Sequence, residues 1–246
     1  MKIRRGGHEI RTLEQWCEAM PPRLREKQWE EGRSAKELAR AWMLGDEVAV
    51  PEELERLLET NSEFSGTRLL EARPEEETRL DDFRGMGRVS DLLLIGERAG
   101  ERVVISVEAK ADESFGPTID DYLGTDRPEK SNASARVQQL ARAVFGLEAQ
   151  EIGSLRYQLL HAVAGTLIAA KEHGAEKALF LVHEFLTATD RLKVLRNESD
   201  LTALLDRFGW DGEFGRGRIA GPFHVPGGGR VPSDVELYVG KVERGG

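Results

Sequence analysis

Val89 to Lys110 reads VSDLLLIGERAGERVVISVEAK, two aliphatic and β-branched runs separated by Gly96-Glu97-Arg98-Ala99-Gly100-Glu101. Apolar runs of this length, bounded by glycine and charge, are strands, and Ala99-Gly100 supplies a two-residue hairpin turn. With those two residues at the tip, directly paired positions add to 199, so Arg98 faces Glu101 and Glu97 faces Arg102. Both are opposite-charge pairs at an exposed end. The same register pairs Ile95 with Val104, Leu94 with Ile105, Leu93 with Ser106 and Leu92 with Val107, and it brings Asp91 opposite Glu108. A period of two then points Asp91, Glu108 and Lys110 to one side of the sheet, at the far end of an almost wholly apolar hairpin.

Two carboxylates ~5 Å apart at Cβ repel one another, and one of them is pushed toward its neutral form unless a cation lies between them. Hard oxygen ligands of this kind suit Mg²⁺ or Mn²⁺. A lysine two residues beyond one ligand can hold a water or steady developing negative charge. The competing explanation is structural: Lys110 as the ion-pair partner of Glu108 or Asp91 at a strand end.

Working outward, the first 50 residues read as a helical extension carrying Trp16, Trp29 and Trp42, broken at Pro21-Pro22 and Gly32. Ser34 to Glu37 has the form of a capping box, and Leu38, Ala41, Trp42 and Met43 give the following helix its apolar face. Pro51-Glu52-Glu53 opens a second helix with proline in the first turn, acids near the positive end of its dipole and a Leu54-Leu57-Leu58 stripe. Residues 67–71 and 77–83 read as short strands or one interrupted strand, and 116–133 as the longest loop. Helices are expected over 135–147, 154–173 and 200–208. A strand is expected over 178–185, and a terminal hairpin from Gly221 with its second strand over 235–242. The expected class is α/β, a mixed sheet flanked by helices. No linker divides the chain, so it splits only into an extension, 1–50, and one domain, 51–246.

Composition narrows the function. The 246 residues carry 35 Lys and Arg against 44 Asp and Glu, a net charge of −9, which argues against a protein that coats nucleic acid non-specifically. The imbalance is local: residues 41–130 hold 11 basic and 23 acidic side chains, whereas 1–40 hold 10 and 7. Most of that acidity is a solvated face, since one metal site uses two or three carboxylates. A single cysteine, Cys17, forms neither an internal disulfide nor a thiolate cluster. No apolar run reaches the ~18–20 residues of a membrane span, and no apolar stretch follows the basic N-terminus as in a secretory signal. The expectation is a cytoplasmic protein.

Ser90-Asp91, the gap to Glu108-Ala109-Lys110, the run from Val107 to Pro117 (VEAKADESFGP) and Leu155 to His161 (LRYQLLH) together resemble the PD-(D/E)XK nuclease superfamily, in an uncharacterised bacterial branch. The resemblance runs from about Gly32 to the terminal strand. It implies a restriction-endonuclease-like αβββαβ core, with Asp91 and Glu108 binding Mg²⁺ or Mn²⁺, helped by the Ala109 carbonyl, and Lys110 positioning the attacking water. Serine stands at position 90 where the named motif has proline. A further glutamate from the first core helix is often added in such enzymes, and Glu37, Glu53, Glu63 and Glu71 are candidates, Glu37 being already explained by capping. A glutamine on the later helix is used by several branches, which singles out Gln158.

Arg156 and His161 share the first turns of that helix, and Gln158 and His161 share a face at i, i+3. Glu113 follows Lys110 closely and reads either as an acid that supports the site or as an exposed loop acid. Helix capping and core hydrogen bonding are the alternative for Arg156, explain Gln158 equally well and His161 better, and His183, alternating within an apolar strand, reads as a core histidine. Arg23, Arg25, Lys27, Arg33, Lys36 and Arg40 are candidates for phosphate contacts, or a solvated helix face. The reading is therefore a metal-dependent nuclease acting on nucleic acid, DNA first, with a homodimer or protein partner in keeping with the resemblance. Its rivals are a non-catalytic interaction or assembly module that keeps the fold, with the tryptophans as partner surface, and a hydrolase of a small phosphorylated ligand in a closed pocket.

Overall fold

The computed structural model describes residues 1–20, 28–44, 47–111, 113–124, 131–186 and 191–245, with side chains from 194 in the last segment. Arg23, Arg25 and Lys27 lie outside them.

The chain opens with two strands, β1 (Lys2–Arg5) and β2 (His8–Ile10), where a helical extension was expected. Alternation supplies the reason: Ile3 and Ile10 are paired neighbours and both buried, while the half-buried Arg4 and Arg5 and the exposed His8 between them mask a period of two. Helices α1 (Leu13–Ala19), α2 (Ser34–Trp42) and α3 (Glu52–Glu59) follow, with a two-residue ladder of β3 (Met43–Leu44) and β4 (Glu47–Val48) between the last two. The capping box expected at Ser34 does not form. Arg33 is the N-cap of α2, the Glu37 carboxylate accepts the Gly32 N–H at 3.0 Å, and the Ser34 hydroxyl donates instead to Glu113.

Strands β5 (Arg68–Thr78), β6 (Arg88–Arg98) and β7 (Glu101–Lys110) form an antiparallel meander. The β6–β7 register runs from Arg98 opposite Glu101 to Leu92 opposite Val107, as the charged tip requires. Ala99 and Gly100 both have positive φ, 51° and 87°, the backbone a two-residue hairpin of this twist needs. The segment expected as a long loop contains α4 (Ile119–Gly124), and α5 (Ala133–Phe145) and α6 (Tyr157–Glu172) carry the chain back to β8 (Lys177–Leu186), parallel to β7. Helix α7 (Arg191–Arg207) is nearly twice the expected length. The chain ends in β9 (Arg218–Phe223) and β10 (Glu236–Gly245), and β10 inserts parallel to β8 while pairing antiparallel with β9.

The result is an α/β fold on one mixed sheet in the order β2-β1-β5-β6-β7-β8-β10-β9. Each face carries its own apolar layer. Leu93, Val104, Phe180, Val182 and Leu237 pack beneath α5 and α6, and α6 is buried nearly all round because helices cover its outer side too. Ile3, Leu92, Leu94, Ile105, Val107 and Leu181 pack against α1–α3 with Trp16, Trp42, Leu54 and Leu57. Trp16 and Trp42 are core residues and Trp29 is half-buried, so the tryptophans are not an exposed patch. Among the described residues no helix is long and apolar enough to cross a membrane.

Candidate active site

Strand β6 changes character at its start. Leu92 and Leu94 face the α1–α3 layer, yet Ser90, two residues earlier, lies 2.9 Å from Ser106 on the α6 side, and Arg88 reaches Ser106 and Glu108 there. The pleat therefore reverses at Asp91. The opposing strand breaks at the same level: Pro74 pairs with Leu92 and Glu76 with Ser90, and Glu75 between them is left-handed, φ 53°. A non-glycine residue in that region costs of order 1 kcal/mol. The β6–β7 ladder ends at Leu92–Val107, and the Asp91 carboxylate fills the opening by accepting the Ala109 backbone N–H at 2.7 Å. A strict period of two, which assigned Asp91 its side, does not hold at this residue.

Glu108 and Lys110 stay in phase with Val104 and Ser106, beneath the first turn of α6, and are almost fully buried. Glu108 Oε2 accepts from Arg88 at 2.8 Å and Oε1 from Lys110 at 3.0 Å. Gln158 donates its amide to Glu108 and accepts from Lys110 Nζ at 3.2 Å, bridging the two. Arg88 also donates to Ser90 and, at 3.2 Å, to Ser106, and the Phe115 ring lies 5.2 Å from Lys110 Nζ.

These contacts divide the charges. Burial pushes Asp91 well above 3.8, and the nearby Glu108 and Glu75 charges push the same way. Burial also works against the Glu108 carboxylate, but Lys110 and Arg88 more than offset it and hold its pKa below 4.5. Lys110 is raised above 10.5, because Glu108 and Asp91 outweigh the cost of burying its ammonium. His161, one turn along α6 from Gln158, is lowered to about 3 by burial and by the Arg88 charge, so its imidazole is neutral. Its Nδ1 is buried without a hydrogen-bond partner among the described residues.

Of the supporting candidates, the fold brings Gln158 into contact with Glu108 and Lys110, sets His161 within their field, and lets Glu113 act on Lys110 by its charge. Glu113 itself accepts the Ser34 hydroxyl and the Ala111 N–H. Arg156 is directed elsewhere, to Asp200 and the Gly116 carbonyl, both at 2.9 Å. Glu37 binds the Gly32 N–H and Arg40. Glu53 pairs with His183 on the opposite face of the sheet, Glu63 with Lys177 and Glu71 with Arg73. Of the basic candidates, Lys36 and Arg40 are held by Glu31.

Two members of the site escaped the sequence reading. Arg88 stands at the head of β6, where an arginine reads as an exposed strand end. Glu75 is one of three consecutive glutamates, and only its backbone conformation distinguishes it. The serines at 90 and 106 were the available signal, since hydroxyls inside two apolar strands need a buried polar partner.

Among the described residues no group of three or more His, Cys, Asp or Glu is arranged to hold an ion. The acids that do converge still fit Mg²⁺, which keeps several waters and needs only one or two protein carboxylates. Asp91 Oδ2 is engaged with Ala109, while Oδ1 has no hydrogen bond among the described residues. A half-buried acid raised by desolvation and by two neighbouring acids is also one that a cation returns to its charged form. Cavities of about 550 Å³, around Glu63, His224 and Tyr238, and about 440 Å³, around Glu53, Arg56 and Arg244, are lined by other residues.

An α/β chain with a polar, ion-paired cluster buried at the end of its central strands is the class these observations define. The family model that matches it, over residues 9–245, is a domain of unknown function, DUF6946, and the chain belongs to that family. No curated protein and no solved structure matches it.

Proposed function

We propose that the protein is a metal-dependent nuclease that hydrolyses phosphodiester bonds in nucleic acid, DNA first, with Asp91 and Glu108 as metal ligands and Lys110 as the residue that positions the attacking water. The observation that carries this reading is the meeting of Asp91, Glu108, Lys110 and Gln158 where β6 and β7 part. The connectivity supports it: α3, β5, β6, β7, α6 and β8 occur along the chain in the αβββαβ order that the resemblance implies, with α4 and α5 added between β7 and α6.

Asp91 and Glu108 would hold Mg²⁺ or Mn²⁺. Such an ion, when bound, offsets phosphate charge and lowers the pKa of a coordinated water. Lys110, kept as an ammonium by Glu108 and Asp91, places a fixed positive charge where negative charge develops. Gln158 orients Lys110 and Glu108 toward each other, and Arg88 keeps Glu108 ionised. Net acidity of the chain is compatible with this role, since local cations supply the attraction.

The test is cleavage of supercoiled plasmid, linear duplex and single strands with Mg²⁺ or Mn²⁺, beside Asp91→Ala, Lys110→Ala and an EDTA control. Metal-dependent cutting lost in both variants is the expected result. A folded wild type that cuts nothing overturns the reading, as does cutting that survives both substitutions.

One observation favours a second reading, a non-catalytic interaction or assembly module. Both Glu108 oxygens are already satisfied by Arg88, Lys110 and Gln158, as in a structural polar core. Such a module binds no divalent ion, and a titration of Mn²⁺ followed by electron paramagnetic resonance separates the two.

A further inference from the structure

Segment 113–116 links Lys110 to α4 and carries two groups that shape the lysine's surroundings. The Glu113 carboxylate raises its pKa, and the fully buried Phe115 ring lies 5.2 Å from Nζ. This segment is not part of any strand or helix, so its backbone must be held by side chains. Both ends are held from one place.

At the first end, Asn197 of α7 donates from Nδ2 to the Glu113 carbonyl at 3.2 Å. The same amide donates to Glu184 Oε1 at 2.9 Å. Asn197 and Glu184 are both fully buried, and Glu184 Oε2 lies 2.9 Å from the ammonium of Lys241, itself fully buried and 2.9 Å from Glu243. At the second end, the Gly116 carbonyl accepts from Arg156 at 2.9 Å, and Asp200, one turn after Asn197 on α7, fixes that guanidinium at 2.9 Å. Residues i and i+3 share a helix face, so one face of α7 grips the segment at both ends. A buried ion pair such as Glu184–Lys241 is a poor source of stability compared with apolar packing. Holding a particular amide in a particular orientation is a better account of why one is here.

We propose that α7 is a clamp on residues 113–116, with Asn197 and the Arg156–Asp200 pair as positioning residues that set the environment of Lys110. Its catalytic consequence rests on the nuclease reading above. Its structural content does not.

The experiment compares hydrogen exchange of the peptide spanning 111–118 in the full chain, in Asn197→Leu and in Arg156→Met, with urea unfolding of each. Exchange in that peptide is expected to rise about 10-fold or more in both variants, while exchange in β6 and α6 stays within about 2-fold. In a wild type that cleaves, kcat is expected to fall about 10-fold with KM unchanged. Unchanged exchange of 111–118 in either folded variant overturns the clamp. If Asn197→Leu fails to fold, Arg156→Met alone decides. A wild type that does not cleave defeats the nuclease reading and leaves the exchange result to decide the clamp.

Discussion

The carboxyl groups of Asp91 and Glu108 sit at the same end of adjacent strands yet are pushed in opposite directions. Arg88 and Lys110 both donate to Glu108, whereas the protein donor on Asp91 is the uncharged Ala109 N–H. Glu108 is thus held ionised, and its charge, with that of Glu75, drives Asp91 toward its neutral form. Pairs of acids separated in this way divide the charged and neutral roles between them.

Asp91→Asn should stabilise the protein. Asparagine keeps the acceptor for Ala109 N–H and removes a charge that the fold disfavours. Because the folded pKa is raised, the unfolded chain ionises first as pH rises. The penalty is absent below about pH 4 and grows above it. Urea unfolding at pH 8 should show a gain in stability that disappears at pH 3.5. An equal gain at both values would refute the assignment.

Glu108→Gln should do the reverse. It removes the carboxylate to which both Arg88 and Lys110 donate, a change that costs about 3–5 kcal/mol in comparable buried pairs. The urea midpoint at pH 7 should fall accordingly, and a loss under 1 kcal/mol would mean that the cluster is more hydrated than its burial indicates.

His161 gives the protein an acid-sensitive point. Its folded pKa is about 3 against a reference of 6.5, so the unfolded state takes up a proton that the folded state refuses. Stability from this group is complete above about pH 6.5 and is lost as pH falls toward 3. His161→Phe should remove that dependence, and between pH 7 and 4 wild type should lose about 3 kcal/mol more than the variant. Parallel curves for the two proteins would show that His161 titrates normally.

Gly165, inside α6, is the notch through which Arg88 passes. A Cβ there would stand 2.9 Å from Arg88 Cδ, on a side chain pinned at Ser90, Ser106 and Glu108. Alanine improves a helix interior by about 1 kcal/mol over glycine, but crowding a packed core costs about 1–3 kcal/mol. Gly165→Ala should therefore lower stability despite its better propensity, which thermal unfolding would register. In an Arg88→Met background, adding Gly165→Ala should instead raise stability by the helix gain.

Much of the fold was legible because it rests on local patterns. The 22 residues from Val89 to Lys110 contain their own register, since turn residues and tip charges agree without help from distant chain. The strands at 2–5 and 8–10 were not legible, because three residues of alternation are too few to outweigh a basic, glycine-broken context. Within the site, Asp91, Glu108, Lys110 and Gln158 were found from spacing and resemblance. Arg88 and Glu75 were missed because nothing in their neighbours' sequence marks them.

By itself the sequence determined the hairpin, its register, the α/β class and the gathering of acids and a lysine at one strand end, all consequences of periods and charges within a few residues. Only the tertiary structure decided which way Asp91 faces, that Arg88 satisfies Glu108, and that α7 reaches 113–116. The reason is physical: a reversal of pleat and a buried charge are fixed by partners on other strands and helices, 18 to 84 residues away along the chain for Arg88 with Ser106 and Glu108, Asp91 with Ala109, and Asn197 with Glu113. Burial makes those partners obligatory, and no local pattern names them.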